Sequence, residues 1–347
     1  MSRAYTHHPV RRDWLALGRE PALLPELAIV DPHHHLWDRP EAHYLLPELT
    51  ADLRAGHDVR ATVYVQARSM YRSEGPEALK SLGEVEYANS VAVEAASGTE
   101  DRRLACAGIV AGPDLTLGER VTPVLEAMRE VAGDRFCGVR NSVAWHEHAD
   151  VRSSTALPPP RLMSDAKFRA GARQLARFNL TLDVWAYQTQ LGEVLDLARF
   201  LPDTTIVVDH LGGPIACGPF AGRRWEMFDL WRTELGKLAR LPNVATKIGG
   251  LGMRLAGFDF HTRSQPPTSE ELAVAWKPYV ETAITLFGAE RCMFESNFPV
   301  DKGMYGYGAM WNAFKWLTAG ASTDERGALF AGTALRIYHL PAEAILP

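Results

Sequence analysis

The chain of 347 residues has a globular composition, with 46% hydrophobic and 23% charged residues, and can bury a large core as one big domain or two smaller ones. Its formal net charge is −5 and no basic patch occurs, so we expect no nucleic-acid partner. No apolar run approaches the roughly 20 residues of a membrane span, and the amino terminus lacks the apolar core of a signal peptide. We therefore expect no membrane partner and a cytoplasmic location.

Short β-rich runs alternate with helical stretches along the whole chain. The runs predicted as strands are residues 27–33, 60–67, 104–111, 136–142, 180–185, 204–210, 243–250 and 291–297. Segments between them, such as 165–178 and 190–200, carry apolar residues at helical spacing. Capping boxes at Thr268–Glu271 and Ser322–Glu325 mark two helix starts. Nearly continuous apolar strands that alternate with helices indicate a parallel sheet covered by helices.

Eight such units favour an α/β fold in which the sheet closes into a (β/α)₈ TIM barrel. The barrel would be a single domain over residues 27–347, with residues 1–26 as an N-terminal extension. A doubly wound open sheet is the alternative, and it is disfavoured because no glycine-rich phosphate loop follows the first strand.

The cysteines lie far apart without a CxxC motif, which argues against a zinc ribbon or a disulfide framework. Three of them fall in apolar strand-like runs, where cysteine behaves as a small buried hydrophobe. We assign all four to the core: Cys106, Cys137, Cys217 and Cys292.

The stretch VDPHHHLWD, residues 30–38, puts three histidines at the end of the first predicted strand. Successive side chains of a strand point to opposite faces, so His33 and His35 share one face and His34 lies on the other. Two imidazoles on one face form a ligand pair. A polar turn with solvated histidines is the alternative.

Polar residues recur at the carboxyl ends of the other predicted strands, where a TIM barrel places its catalytic groups. A single charge in a buried strand is usually part of a structural ion pair, but the shared position of these residues indicates an active site. They are Gln66, Arg68, Arg140, Asp183, Asp209, His210, Lys247, Glu295 and Asn297.

Three motifs carry a resemblance to a known family: DPHHHLWD at 31–38, VDHLGGP at 208–214 and MFESNFPVD at 293–301. They resemble the metal-dependent TIM-barrel hydrolases of amidohydrolase family 2, in the branch with sugar-acid lactonases and 2-pyrone-4,6-dicarboxylate lactonase. The similarity runs from about Trp14 to the end of the chain and includes GTALRIYHL at 332–340. The motifs are specific as a set and weak singly.

The resemblance implies that His33, His35 and His210 hold one divalent metal ion, zinc or manganese. In the metal-independent members of the family, the same positions bind the substrate itself. Arg140 and Asp183 stand where the family has a bridging residue of strand four and a histidine of strand five. The ligands for a second metal are therefore absent.

The eighth strand ends in ESN where the family usually has GSD, so Asn297 replaces the usual aspartate base. A carboxamide cannot take a proton from water at neutral pH, and a hydrolase needs another base. Glu295, one step deeper on the same face, is the predicted base, and Asp301, folded over the mouth, is the alternative; the predicted catalytic set is Glu295, Asn297, His210 and Asp301. A buried ion pair is the structural alternative for Glu295, and Asn297 would be an orienting hydrogen bonder or a metal ligand.

The hypothesis for function is hydrolysis of a lactone or similar ester of a small, acidic substrate. Arg68, Arg140 and Lys247 would hold its carboxylate or hydroxyl groups, since arginine matches a carboxylate bidentately. Gln66 and Asp183 complete the predicted substrate-binding set. A metal-dependent non-oxidative decarboxylase on the same fold and a binding protein without turnover remain alternatives.

A second histidine pair, His146 and His148, lies after the fourth strand, where no pleat fixes its geometry. We interpret these as loop histidines, with a lid over the barrel mouth as the alternative. The long loops at 142–163 and 251–270 are expected to shape the pocket. Their candidate wall residues are Trp145, Met253, Arg254 and Phe258.

Overall fold

The computed structural model of the protein describes residues 7–39, 42–97, 103–153 and 157–346. Eight parallel strands pair in the order in which they follow along the chain, and a two-stranded hairpin, β2 and β3, follows the first. The strands are β1 (Ala28–His34), β2 (Trp37–Arg39), β3 (Ala42–Tyr44), β4 (Asp58–Val65), β5 (Leu104–Ala111), β6 (Phe136–Ser142), β7 (Thr181–Trp185), β8 (Ile206–Val208), β9 (Val244–Ile248) and β10 (Cys292–Phe294).

The sheet closes where its first and last strands meet. The backbone N–H of His35 donates to the carbonyl of Phe298 at 2.8 Å, and the N–H of Asn297 donates to the carbonyl of His33 at 2.9 Å. The predicted TIM barrel is thus confirmed, and each of the eight predicted strands is present. The doubly wound alternative is wrong.

Helices cover the outside and the amino-terminal end of the barrel. They are α1 (Arg12–Ala16), α2 (Leu46–Leu53), α3 (Leu82–Ser97), α4 (Thr122–Ala132), α5 (Ala166–Arg173), α6 (Leu191–Phe200), α7 (Arg224–Leu238), α8 (Ser269–Phe287), α9 (Tyr307–Leu317), α10 (Thr323–Gly327), α11 (Thr333–Ile337) and α12 (Ala342–Ile345). The predicted capping boxes at Thr268 and Ser322 begin α8 and α10. Within the described ranges, no helix is long and apolar enough to cross a membrane.

The core has one large layer between the sheet and the helices and a smaller one inside the barrel. In the inner layer, Val30, Val63 and Val207 pack against the C-terminal segment, including Leu335 and Tyr338. These valines precede the polar strand ends. The C-terminal segment therefore closes the amino-terminal end of the barrel, and the opposite end is left open for a site.

Three of the four cysteines are buried in the core as predicted, but Cys217 is not. It lies in irregular chain after β8 and is only partly buried, with its Sγ 3.5 Å from the carbonyl oxygen of Asp150. The assignment of Cys217 to the core is wrong because no strand or helix carries it inward.

The described part of the N-terminal extension lies against the barrel. The indole of Trp14 donates to the carbonyl of Arg263 at 3.0 Å, and Glu20 accepts from the backbone N–H of Ser269 at 2.7 Å. Farther along, Lys315 of α9 donates to the carbonyl of Leu23 at 2.7 Å. The boundary at residue 26 stays a prediction, but the extension is tied to the same body as the barrel.

Candidate active site at the barrel mouth

A cavity of about 110 Å³ opens at the carboxyl ends of the strands. Six of the residues predicted for the site border it: His35, Gln66, Arg68, Arg140, His210 and Asn297. A larger cavity of about 630 Å³ lies at the opposite end of the barrel, beside the starts of β5 and β6, and holds none of the predicted site residues. The smaller cavity is therefore the candidate active site, and "the cavity" below means this one.

Three of these residues lie just after the ends of strands and have a left-handed backbone conformation. The φ angles are 57° for Arg68, 55° for His210 and 55° for Asn297. Residues other than glycine avoid this region, and such strained positions cluster at functional sites. The sharp turns place each side chain at the rim of the cavity.

The first strand confirms the predicted alternation of its histidines. The rings of His33 and His35 lie on the same side with centroids 4.9 Å apart, whereas His34 contacts Thr62 on the other side. His35 Nδ1 lies 2.7 Å from the carbonyl oxygen of Val65, so this nitrogen carries the proton. Its Nε2 is then an acceptor at the edge of the cavity.

Glu295 joins two of the predicted ligand histidines beneath the cavity. Its Oε1 lies 2.6 Å from His210 Nδ1 and also accepts from the backbone N–H of His210, and its Oε2 lies 2.8 Å from His33 Nδ1. Burial alone would raise the pKa of Glu295, but the two histidines outweigh it and hold the pKa below its usual range. Glu295 is fully buried and does not border the cavity. It can therefore act on a substrate only through His210, which does border the cavity, so the structure does not bear out the expectation that Glu295 is itself the base.

His33 is also fully buried, with a charged neighbour at each ring nitrogen. Lys247 Nζ lies 3.2 Å from Nδ1, and Arg140 Nη1 lies 3.1 Å from Nε2. Burial, with Lys247 nearby, lowers the pKa of His33 below its ordinary value. His33 is therefore a neutral imidazole at pH 7.

A buried ion network lies below this layer. Lys247 Nζ donates to Asp183 at 2.6 Å and pairs with Asp209 at 3.2 Å, while Arg140 contacts the other oxygen of Asp209 at 3.3 Å. Tyr338 of the C-terminal segment donates to Asp183 at 2.6 Å. Asp183 and Lys247, expected to bind substrate, are fully buried and do not border the cavity. Both precede the ends of their strands, so their side chains point into the barrel below the site.

Asn297 borders the cavity, with Asp301 behind it. The amide nitrogen of Asn297 donates to Asp301 Oδ1 at 2.9 Å, and Asp301 Oδ2 accepts from Gly252 N at 2.9 Å and from the hydroxyl of Tyr305. Burial raises the pKa of Asp301 to about 7. Asp301 is fully buried, so the expectation that it folds over the mouth is wrong, because three donors hold it inside.

The wall of the cavity is cationic. Arg39, Arg68 and Arg140 border it, and its described lining contains no carboxylate. The ring of Trp37 packs under Arg39 at 4.1 Å from the guanidinium carbon, and Trp185 packs against His210 with ring centroids 4.9 Å apart. Such a wall suits an anionic or carbonyl-rich ligand.

Sequence reasoning missed several residues of the wall. Trp37 and Arg39 lie in the hairpin after β1. Trp185 is the last residue of β7, two residues after Asp183, where an aromatic side chain would be predicted to lie in the core. His7 reaches the cavity from the N-terminal extension, without any sequence signal.

The loop predictions gave a mixed result. Met253 borders the cavity, whereas Trp145, Arg254 and Phe258 do not. His146 packs among Tyr187 and Phe220 away from it, which supports the interpretation of loop histidines.

The layer beneath the cavity also fits one divalent ion. His33, His210 and Glu295 each offer one ligand atom, and these atoms lie within 4.8 Å of one another. Two imidazoles and a carboxylate are a donor set typical of catalytic zinc. No second group of this kind occurs among the described residues. His35, predicted as a ligand, is not in this group, and Glu295 takes its place.

A barrel with polar groups gathered at the carboxyl ends of its strands, and with a histidine–carboxylate group that can take one metal ion, defines a class of TIM-barrel hydrolases. The amidohydrolase family model matches residues 30–340, and the chain belongs to this family.

Known relatives cover nearly the whole chain. An uncharacterized protein, y4mH, of Sinorhizobium fredii is 33% identical over 91% of this chain and 100% of its own length. The L-fucono-1,5-lactonase of Burkholderia multivorans is 28% identical over 91% of this chain and 97% of its own. A crystal structure of an amidohydrolase from B. multivorans with bound zinc has the same fold, with 24% identity, a TM-score of 0.69 and coverage of 90% of this chain and all of the other.

Proposed function

We propose that this protein opens a lactone or a similar ester of a small acidic substrate, with His210 as the general base. The observation that carries the proposal is the His210–Glu295 pair at the edge of a cavity lined by arginines. The amidohydrolase family and the lactonase among its relatives support hydrolysis as the reaction.

The pair fixes the tautomer of His210. The carboxylate of Glu295 only accepts hydrogen bonds, so His210 Nδ1, 2.6 Å away, carries a proton. Nε2 is then the nitrogen of His210 that can act as a base, on a residue that borders the cavity. A base of this kind replaces the one that Asn297 cannot supply, and general-base help is worth typically 10² to 10⁴ in rate.

The reaction needs one proton transfer in each direction. His210 Nε2 takes a proton from the attacking water as the water oxygen bonds to the lactone carbonyl carbon. When the ring ester bond breaks, the same nitrogen returns the proton to the leaving alkoxide oxygen. Glu295 stays ionised throughout and stabilises the imidazolium that forms between the two transfers.

The cationic wall binds the substrate. Arg140 is held in place by Asp209 and His33, and its charge at the cavity can stabilise the oxyanion that develops on the carbonyl oxygen. Arg68 is exposed, and its guanidinium makes no hydrogen bond or ion pair within the described parts of the chain, so it is free to bind a carboxylate. Asp183 and Lys247 act indirectly, because Asp183 holds the ammonium of Lys247, which contacts His33 and Asp209 from below.

A metal ion, when bound to His33, His210 and Glu295, would supply Lewis-acid polarisation of the carbonyl and a more acidic water. Protons on the two imidazoles also link them to Glu295, so a metal ion has to compete with these protons for the ring nitrogens.

The experiment is a panel of lactones read by proton release, with acidic members such as D-glucaro-1,4-lactone and neutral ones such as D-glucono-1,5-lactone. We expect turnover with a preference for acidic lactones. Carbon dioxide release from aromatic acids would instead identify the decarboxylase alternative. Absence of both reactions, with tight ligand binding, would identify a binding protein.

A further inference from the structure

We propose that Glu84, a residue of α3 outside the cavity, is the positioning residue that fixes Arg68 for binding a substrate carboxylate. The proposal rests on the proposed function only in that the substrate carries a carboxylate. Glu84 belongs neither to the strand-end motifs nor to the group of candidate metal ligands. Because it lies in a helix, the sequence alone would predict an exposed charge.

Glu84 is buried, and a single oxygen of its carboxylate holds the turn that carries Arg68. Its Oε1 accepts from the backbone N–H of Ala67 at 2.8 Å and from that of Ser69 at 3.0 Å, and the hydroxyl of Tyr64 donates to the same oxygen at 2.8 Å. The two amides flank Arg68 on either side. The carboxylate therefore fixes the backbone immediately before and after this arginine.

Arg68 needs such a support because its backbone is left-handed, with φ of 57°. A non-glycine residue pays of order 1–3 kcal/mol for a sparsely populated conformation and keeps it only where its surroundings impose it. Without the two hydrogen bonds to Glu84, the turn could relax and swing the guanidinium away from the cavity.

The same turn is held from the cavity side by the other two arginines. Arg140 Nη2 donates to the carbonyl of Gln66, and Arg39 Nη2 donates to the carbonyl of Ala67 at 2.9 Å. Arg39 and Arg140 thus donate hydrogen bonds to the backbone, whereas none of the five N–H donors of the Arg68 guanidinium has a partner among the residues that the structure describes. A carboxylate in the cavity would find its open partner in Arg68.

Glu84 Oε2 is buried without a hydrogen-bond partner in the described part of the chain. A buried carboxylate oxygen without a partner costs free energy, so the three hydrogen bonds on Oε1 have to offset that cost.

The test is a double-mutant cycle on ligand affinity. Citrate is the anionic probe and trimethyl citrate the neutral one, and dissociation constants are measured by calorimetry for the wild type, Arg68→Ala, Glu84→Ala and the double variant. We expect each single variant to weaken citrate binding about tenfold, the double variant to be no weaker than Arg68→Ala, and the trimethyl ester to be unaffected. Such coupling is expected only for residues that act together.

Two further variants guard against simple misfolding. Glu84→Asp keeps the charge but draws the carboxylate back from the turn, and it should weaken citrate binding as Glu84→Ala does, even where the alanine variant does not fold. Glu84→Gln keeps the accepting oxygen and should stay within about threefold of wild type.

A matched control removes a similar pair elsewhere. Asp52 accepts from the hydroxyl of Tyr44 at 2.7 Å, as Glu84 does from Tyr64, but its other side-chain partner is Lys302, at 2.7 Å from Oδ1, and neither Tyr44 nor Lys302 borders the cavity. Asp52→Ala should lower the melting temperature without changing the affinity for citrate.

Additive effects of Arg68→Ala and Glu84→Ala would overturn the proposal, as would a wild type that binds citrate no more tightly than its trimethyl ester. Neither result depends on lactone hydrolysis. Failure of the hydrolysis assay with the coupling intact would remove the proposed reaction and leave the role of Glu84 standing.

Discussion

His210 and Glu295, 85 positions apart in the chain, meet at 2.6 Å between Nδ1 and Oε1 where the loops after β8 and β10 converge. Glu295 is fully buried and His210 borders the cavity, so the carboxylate acts on the site through the imidazole. The relationship assigns proton transfer to His210 and orientation to Glu295.

Glu295→Gln should lower kcat by on the order of 10² or more with the fold intact, because an amide can donate to His210 Nδ1 and so disturb its tautomer. A purely structural ion pair would instead cost some 3 to 5 kcal/mol of stability and appear first in Tm. Measuring kcat and Tm together separates the two readings. Glu271→Gln, which keeps the capping box of α8, is the matched control and should change neither.

Asn297→Asp should leave kcat within roughly tenfold of wild type, or raise it, since it restores a carboxylate at the edge of the cavity. The new carboxylate would lie beside Asp301, which binds the Asn297 amide at 2.9 Å, and the two would share a proton. Steady-state kinetics on the best lactone of the panel test this prediction. A loss of more than a hundredfold would show that the amide itself is required.

Asp301 should make stability fall as the pH rises from about 4 to about 7. Burial raises its pKa from the ordinary 3.8 to about 7, so in this window the folded state keeps a proton that the unfolded state has lost. Each pKa unit is worth about 1.4 kcal/mol. Urea unfolding of wild type and Asp301→Asn at pH 5 and pH 8 isolates the effect, since the other groups cancel in the difference. An equal difference at both pH values would contradict the raised pKa.

Lys247→Met should destabilise the protein by some 3 to 5 kcal/mol, because it leaves Asp183 and Asp209 buried without their shared cation. Lys277→Met, on the exposed face of α8, is the control and should stay within about 0.5 kcal/mol. Urea denaturation measures both. Equal stability of the two variants would show that the buried network is not needed for folding.

Metal loading should reach about one equivalent of Zn²⁺ or Mn²⁺, because only one group of three ligands occurs in the described chain. Glu295→Gln should weaken zinc binding, whereas His35→Ala should not, since His35 lies outside that group. Elemental analysis after dialysis and competition with a chromogenic chelator give the two readouts. Two equivalents in the wild type would overturn the ligand assignment.

The strands and most strand-end residues were predictable because apolar runs and their polar ends are local features of the sequence. Depth was not. β8 ends at Val208 and β10 at Phe294, earlier than predicted, so His210 and Asn297 reach the cavity through left-handed turns rather than through the pleat. Glycine is the residue that predicts a left-handed turn, and neither of these positions is a glycine.

Contacts between residues far apart in the chain were equally unpredictable from the sequence. The sequence places Lys247 at a strand end, but its burial depends on Asp183 of β7 and on Asp209, the residue after β8. Glu84 and His7 come from a helix and from the N-terminal extension, and only the folded chain brings them to the mouth of the barrel.

The measurement that tests the account most directly is the rate of proton release from an acidic lactone by the wild type and by His210→Ala, with Tm as the check on folding. We predict hydrolysis by the wild type and a loss of at least about 10² in kcat for the folded variant. A wild type that hydrolyses no lactone, or a His210→Ala protein with full activity, would contradict the assignment of His210 as the base of a lactone hydrolase.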